Sequence, residues 1–187
     1  MTTSSDEPEP DIDVVPHDPA WSGMYAAERE ALLGATGALF VAIEHIGSTA
    51  VPGLEAKPVI DVMAAVQRLD EASAAHDRLR ELGYQLTPTG MSNRLFLRKR
   101  APGRACAFHL HIVERATWDE RKERLFRDHL RAHPEDARAY GALKQRLARE
   151  HRRDGLAYTK AKTELIQSIV DRARDARGLP RIDVWED

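Results

Sequence analysis

The chain contains one cysteine, Cys106, in 187 residues. No internal disulfide can form, and a small disulfide-stapled scaffold is excluded. Cys106 lies in an apolar run and reads as a small buried hydrophobe, because a reactive thiol needs a cationic neighbourhood. No apolar stretch approaches the roughly 20 residues a membrane span requires, and the N-terminus lacks a charged-then-apolar leader with a small-residue cleavage site. A cytoplasmic protein with no membrane partner is the expectation. Positive charge is not in surplus either: Lys and Arg number 28 against 30 Asp and Glu, a formal net charge of −2. Without a basic excess or interleaved aromatics, nucleic acid is a disfavoured partner.

A chain of this length is most simply one domain able to bury roughly 70% of its unfolded surface. Residues 1–16 are acidic and poor in large apolar groups, and are expected to form a disordered tail. A single domain over 17–177 follows, with a sheet core (17–114) and a helical part (115–177). The final residues, 178–187, form a second tail whose docking the sequence leaves open.

Asp18-Pro19 opens a helix of about four turns stopped by Gly34 and Gly37. Apolar runs over 39–46 and 58–66 read as core strands, residues 70–82 as an amphipathic helix, and 84–87, 93–99 and 106–113 as three more strands. From Thr117, which has capping-box spacing, the chain reads as three helices over 117–133, 135–153 and 158–177, with Pro134 and Gly155 between them. The expected fold class is α/β, a mixed sheet of about five strands flanked by helices with a C-terminal helical part.

The stretch around which the chain is organised is residues 45–62, HIGSTAVPGLEAKPVIDV. Asp61 stands on a strand that otherwise excludes charge, and a buried carboxylate needs a partner. Gly47 permits close approach of a ligand to the backbone, and Ser48 and Thr49 offer hydroxyls and amides suited to phosphate oxygens. The pattern fits a nucleotide-plus-metal site, and it equally fits an ordinary strand–turn–strand connection. His109 and His111 share one strand face and can converge with Asp61 beneath the Gly-Ser turn. Alternation also puts Arg94 and Arg98 together, where they would reach a phosphate or simply protect an edge strand. Glu114 has the opposite parity and joins the cluster only if the strand twists, and Glu44 reads as a capping or salt-bridge residue.

The 45–62 segment, FHLHIVE at 108–114, FRDHLRAHPEDARAYGALKQRLA at 126–148 and YTKAKTELI at 158–166 resemble, in order, the GrpB-like family. That family is itself similar to the DNA polymerase beta-type nucleotidyltransferase superfamily. The resemblance implies a nucleotidyltransferase-like sheet, phosphate contacts from Gly47, Ser48, Thr49, Lys57, Arg94 and Lys162, and a catalytic cluster of Asp61, His109 and His111. Asp61 and His111 are the implied ligands of a divalent metal. Active members of the superfamily carry a second acid two residues after the first, where this chain has Met63. One carboxylate with imidazoles suits Zn²⁺ or Mn²⁺ better than Mg²⁺. Two functional expectations follow. One is nucleotide and metal binding with transfer of a nucleotidyl group, or phosphate cleavage, with an imidazole as base. The other is a non-catalytic phosphate- or CoA-binding or chaperone-like module with a protein partner, since relatives fused to dephospho-CoA kinase are thought to assist its folding.

Overall fold

The computed structural model describes residues 11–100 and 107–185. Five strands, β1 (Ala42–Ile46), β2 (Val59–Val66), β3 (Gln85–Leu86), β4 (Leu95–Arg100) and β5 (Ala107–Glu114), form one mixed sheet in the order β1-β2-β5-β4-β3. β2 and β5 run parallel at its centre, and the other neighbours are antiparallel. The fold class read from the sequence is the one observed. Cys106 and most of the basic loop before β5 lie outside the described residues.

Strand alternation sorts the side chains into two layers. Ile60, Val62, Ala64, Val66, Phe108, Leu110 and Ile112 face α1 (Ala20–Thr36) and α2 (His76–Glu81) in the largest apolar core. The opposite face carries Asp61, Met63, His109 and His111. It is covered by α3 (Lys122–Ala132), α4 (Pro134–Glu150), α5 (Gly155–Lys160) and α6 (Thr163–Asp175).

Several boundaries differ from the sequence reading for local reasons. α1 runs through Gly34 and stops at Gly37, whose φ of 60° ends the helical ladder; a 3₁₀ turn then delays β1 to Ala42. Residues 69–75 form a 3₁₀ helix before α2, where the Glu114 carboxylate accepts from the Leu69 amide at 3.1 Å. Glu114 is thereby kept out of the opposite-face cluster. The capping box at Thr117 does not form, because its hydroxyl donates to the Glu114 carbonyl and α3 begins only at Lys122. Gly155 opens α5, capped by Asp154 through the Ala157 amide at 2.9 Å, and the helix expected over 158–177 is broken at Ala161 and Lys162.

Both chain ends depart from the expected tails where they are described. Ile12 donates its amide to the Arg152 carbonyl at 2.8 Å and packs on Leu147, Ala148 and Tyr158, and Val15 pairs with Ala56. The apolar residues Ile12, Val14 and Val15 supply enough burial to order residues 11–16, against the expected tail over 1–16; residues 1–10 lie outside the described part. At the other end, Gln167 of α6 holds the Ile182 carbonyl at 2.8 Å and the Val184 amide at 3.0 Å. Among the described residues no helix is long and apolar enough to cross a membrane.

Candidate functional site

The end of β1 delivers the Gly-Ser turn onto β2. Gly47 has φ 73°, and a Cβ there would run into the Asp61 carboxylate, so conformation and space both require glycine. Thr49, buried, donates its hydroxyl to the Val59 carbonyl at 2.8 Å and meets His45 Nε2 at 3.0 Å. With that hydroxyl proton committed, His45 Nε2 must be the donor, so the imidazole is the neutral Nε2–H tautomer. His45 stacks on Tyr25, and burial lowers its pKa to about 4. The Thr49 side chain thus ties the turn to β2, while Gly47 and Ser48 present their backbone to the cavity.

Asp61 stands beside His109 on the neighbouring strand. Its Oδ1 lies 3.2 Å from His109 Nδ1 and 3.9 Å from His111 Nε2. Burial pushes this carboxyl up, and the hydrogen bond with His109 together with the nearby His111 imidazole outweighs it, holding Asp61 ionised well below the usual carboxylate range. Phe96 of β4 braces both rings, with centroids at 5.1 Å from His109 and 4.8 Å from His111. The convergence of these three residues, read from strand parity, is what the structure shows.

Arg94 is placed differently. Its guanidinium is buried against Glu123 of α3 at 2.5 Å, and it does not line the cavity. It neutralises an acid beside His111, whereas Arg98 is exposed over the Phe96 ring at 5.3 Å. The two arginines share a strand face without sharing a ligand site. Glu44 is held by Arg124 at 2.8 Å and Arg127 at 2.7 Å, the salt-bridge role expected of it.

Opposite the turn, a cavity of about 440 Å³ opens between the sheet and the C-terminal helices. Gly47, Ser48, Thr49, Lys57, Asp61, His109, His111 and Lys162 all border it. Lys57 and Lys162 point their ammoniums at the Tyr158 ring, at 5.9 and 4.1 Å from its centroid. A third lysine, Lys144, comes from the buried face of α4, where it lies 4.7 Å over the Tyr140 ring and donates to the Glu55 carbonyl. Burial and the neighbouring Lys162 lower Lys144 to about 7, opposed by Glu55. Burial and Lys57 lower Lys162 to about 8, opposed by Asp61. Tyr140 is within hydrogen-bonding reach of Ser48. Among the described residues, none of these three lysines has a carboxylate within ion-pair distance.

Lys144 and the two tyrosines are the site residues that sequence reading missed. Tyr140 was assigned to a packed helical stripe, and Lys144, four residues on, falls on that same stripe. A lysine among core positions was the available signal. The close packing that holds it there rests on Gly141, where a Cβ would meet Glu55 and Leu54.

The donors present do not fit the expected divalent metal. Among the described residues, no group of three or more His, Cys, Asp or Glu side chains is arranged to hold an ion. Asp61 is the single acid of the cluster, and Met63, in the position of a second acid, is fully buried against Ile46, Ala65, Val113 and Trp118.

Comparison with known proteins shows where these features recur. The family model described as GrpB protein matches residues 11–172. A UPF0157 protein of Pseudomonas aeruginosa is 41% identical over 174 residues, covering 91% of this chain and 71% of that protein. The crystal structure of the conserved protein GrpB from Enterococcus faecalis superposes with a TM-score of 0.78 at 30% identity, covering 89% of this chain and 99% of that one. A chain of the GLD-2/RNP-8 complex superposes with a TM-score of 0.56 at 13% identity, over 92% of this chain and 74% of that one, a likeness of fold alone.

Proposed function

We infer that this chain, which belongs to the GrpB family, binds a phosphate-bearing small molecule, such as a nucleotide, in the cavity beneath its Gly-Ser turn. The observation that carries this reading is that three of the four lysines bordering the cavity, Lys57, Lys144 and Lys162, have no carboxylate within ion-pair distance among the described residues, whereas the fourth, Lys122, is engaged with the Val184 carbonyl. The arginines Arg94, Arg124 and Arg127 of the same layer are each paired. Lys144 and Lys162 are partly desolvated and Lys57 is exposed at the rim; the ammoniums repel one another, and an anion relieves that repulsion. Three ammoniums against the one Asp61 carboxylate leave a surplus suited to a phosphate monoester or a nucleotide. The Gly47-Ser48 backbone and the Tyr140 hydroxyl supply neutral hydrogen bonds, and the Asp61–His109 pair faces the rest of the ligand.

Two-metal nucleotidyl transfer is not part of this reading. Mg²⁺ prefers an octahedral set of oxygens, which one carboxylate and two imidazoles do not provide, and Met63 is sealed in an apolar cluster.

The test is isothermal titration with inorganic phosphate, ATP and CoA, repeated on Lys162→Met and Lys144→Met. Hydrogen bonds to charged groups contribute about 1.5–3 kcal/mol, so each variant should lose about tenfold or more in affinity. Binding should also take up protons, because an anion restores the lowered lysine pKa values of about 7 and about 8. Affinity is therefore expected to fall as pH rises from 7 to 9. Absence of binding by every phosphate compound, or an affinity in both variants equal to that of the parent, overturns the reading.

A further inference from the structure

Residues 182–185 lie beyond the part of the chain that the family model matches, which ends at residue 172. They nevertheless return to the site, and Val184 is one of the residues bordering the lysine cavity. Three side chains hold this strap from outside or at the rim. Gln167 of α6 donates its amide to the Ile182 carbonyl at 2.8 Å and accepts from the Val184 amide at 3.0 Å, clamping alternate residues of the strap. Lys122 of α3 donates to the Val184 carbonyl at 2.6 Å. Trp185 then lies over the Lys160 ammonium at 5.5 Å, which fixes the strap against the end of α5. The backbone of Val184 is thus bonded on both sides, to α3 through its carbonyl and to α6 through its amide, and its side chain is the part left to face the cavity. Phe126, Ile166 and Val170 from those same two helices also line the cavity, Phe126 packing edge-on against Tyr140 at 5.1 Å. The remainder of a ligand whose phosphate meets the lysines therefore has apolar side chains as well as the Asp61–His109 pair to contact.

We propose that residues 182–185 form the specificity-determining wall of the cavity: held by Gln167 and Lys122, the strap sets the size of the group that can accompany the phosphate and shields Lys144 and Lys162 from bulk solvent. The proposal rests on the phosphate-binding reading for its ligand, but its structural half, a strap that limits access to the lysines, can be read without any ligand. Gln167 does not border the cavity, so Gln167→Ala releases the strap and leaves the binding groups in place.

The experiment is competitive acetylation by acetic anhydride, read lysine by lysine by mass spectrometry, on the full chain, on Gln167→Ala and on a chain shortened to Arg181. Lys99, paired with Glu28 on the far face of the sheet at 2.8 Å, reports any general loosening. Losing two hydrogen bonds favours local opening by about tenfold or more. Lys144 and Lys162 should therefore react about tenfold faster in both variants, with Lys99 unchanged. Protection by ATP relative to protection by inorganic phosphate should rise in the shortened chain by a similar factor. If Lys144 and Lys162 react at the same rate in all three proteins, the strap is not a wall and the proposal is overturned. An unchanged ATP-to-phosphate ratio overturns its specificity role. If neither phosphate compound protects any cavity lysine in any of the three proteins, while the variants still react faster, the phosphate reading fails and the shielding role of the strap stands.

Discussion

The two faces of the sheet carry alternate residues of the same strands, and they treat charge in opposite ways. Toward α1 and α2, Ile60, Val62, Leu110 and Ile112 are at most 1% exposed, and the ion pair between Glu28 and Lys99 sits at the margin with both partners satisfied. Toward the C-terminal helices, β2 and β5 alternate in Asp61, His109 and His111, and the covering helices add Glu123, Lys144 and Lys162. On this second face each acid named here has a cationic or imidazole partner, and among the described residues Lys144 and Lys162 have no carboxylate within ion-pair distance. A face built only for stability pairs its charges or omits them, since unpaired buried charge is costly. The imbalance left on the second face is one that a ligand can remove. The contrast separates structural charge from charge awaiting a partner.

The strongest challenge to this contrast is Met63, the dry spot on the polar face. Met63→Asp places a carboxylate in a fully buried apolar cluster, across from His111 on β5 and Glu44 on β1, and a loss of about 3–5 kcal/mol in urea unfolding is expected if no neighbour compensates the charge. A loss under 1 kcal/mol would show that water or a cation reaches this position, and would reopen two-carboxylate chemistry. On the other face, Leu110→Ala removes a fully buried side chain and should cost about 2–5 kcal/mol. At temperatures where the variant remains folded, its phosphate affinity should match that of the parent; a matching drop in affinity would mean the two layers are not independent. Gly47→Ala acts where the faces meet. The φ of 73° and the contact with Asp61 predict a loss of about 1–3 kcal/mol, together with loss of phosphate binding at the displaced turn.

The pH dependence of the ligand-free protein sharpens the comparison most gently. Lys144 and Lys162 are lowered to about 7 and about 8 in the fold, whereas an unfolded lysine keeps its proton to about 10.4. Between these values the unfolded chain binds more protons, so stability should rise with pH from 7 to 10, by up to about 1.4 kcal/mol per pH unit for one lysine. Lys144→Met should flatten this slope in a series of melting curves, and saturating phosphate should flatten it as well. A slope identical in parent and variant would place the Lys144 ammonium in water. Acid acts on other groups: His45, neutral in the fold with a pKa near 4, must gain a proton on unfolding, so its contribution is lost as pH falls from about 6.5 toward 4.

Periodicity was enough to read the strands and which of their residues share a face, because a period of two is a local property of the strand and needs no knowledge of what packs against it; that Asp61 meets His109 and His111 required the parallel pairing of β2 with β5, across 48 residues of chain. Gly47 was legible as a turn open to close approach of a ligand, whereas the group that leaves no room for its Cβ is the Asp61 carboxylate, which only the folded chain shows. Thr49 and Arg94 were legible as polar residues near the site, yet their side chains are committed elsewhere, to Val59 and to Glu123. That choice depends on which groups the folded chain brings within about 3 Å, a distance that spacing along the sequence does not encode. The same holds for Lys144, which entered the cavity because Gly141 lets α4 press against the loop at Leu54 and Glu55, and for Val184, whose place beside Lys122 and Gln167 is set by contacts across 62 and 17 residues of chain. The alternation of the strands thus followed from local chain geometry, while the cationic half of the cavity and its apolar wall came from long-range packing, which decides where a helix surface or a terminal segment finds its partners.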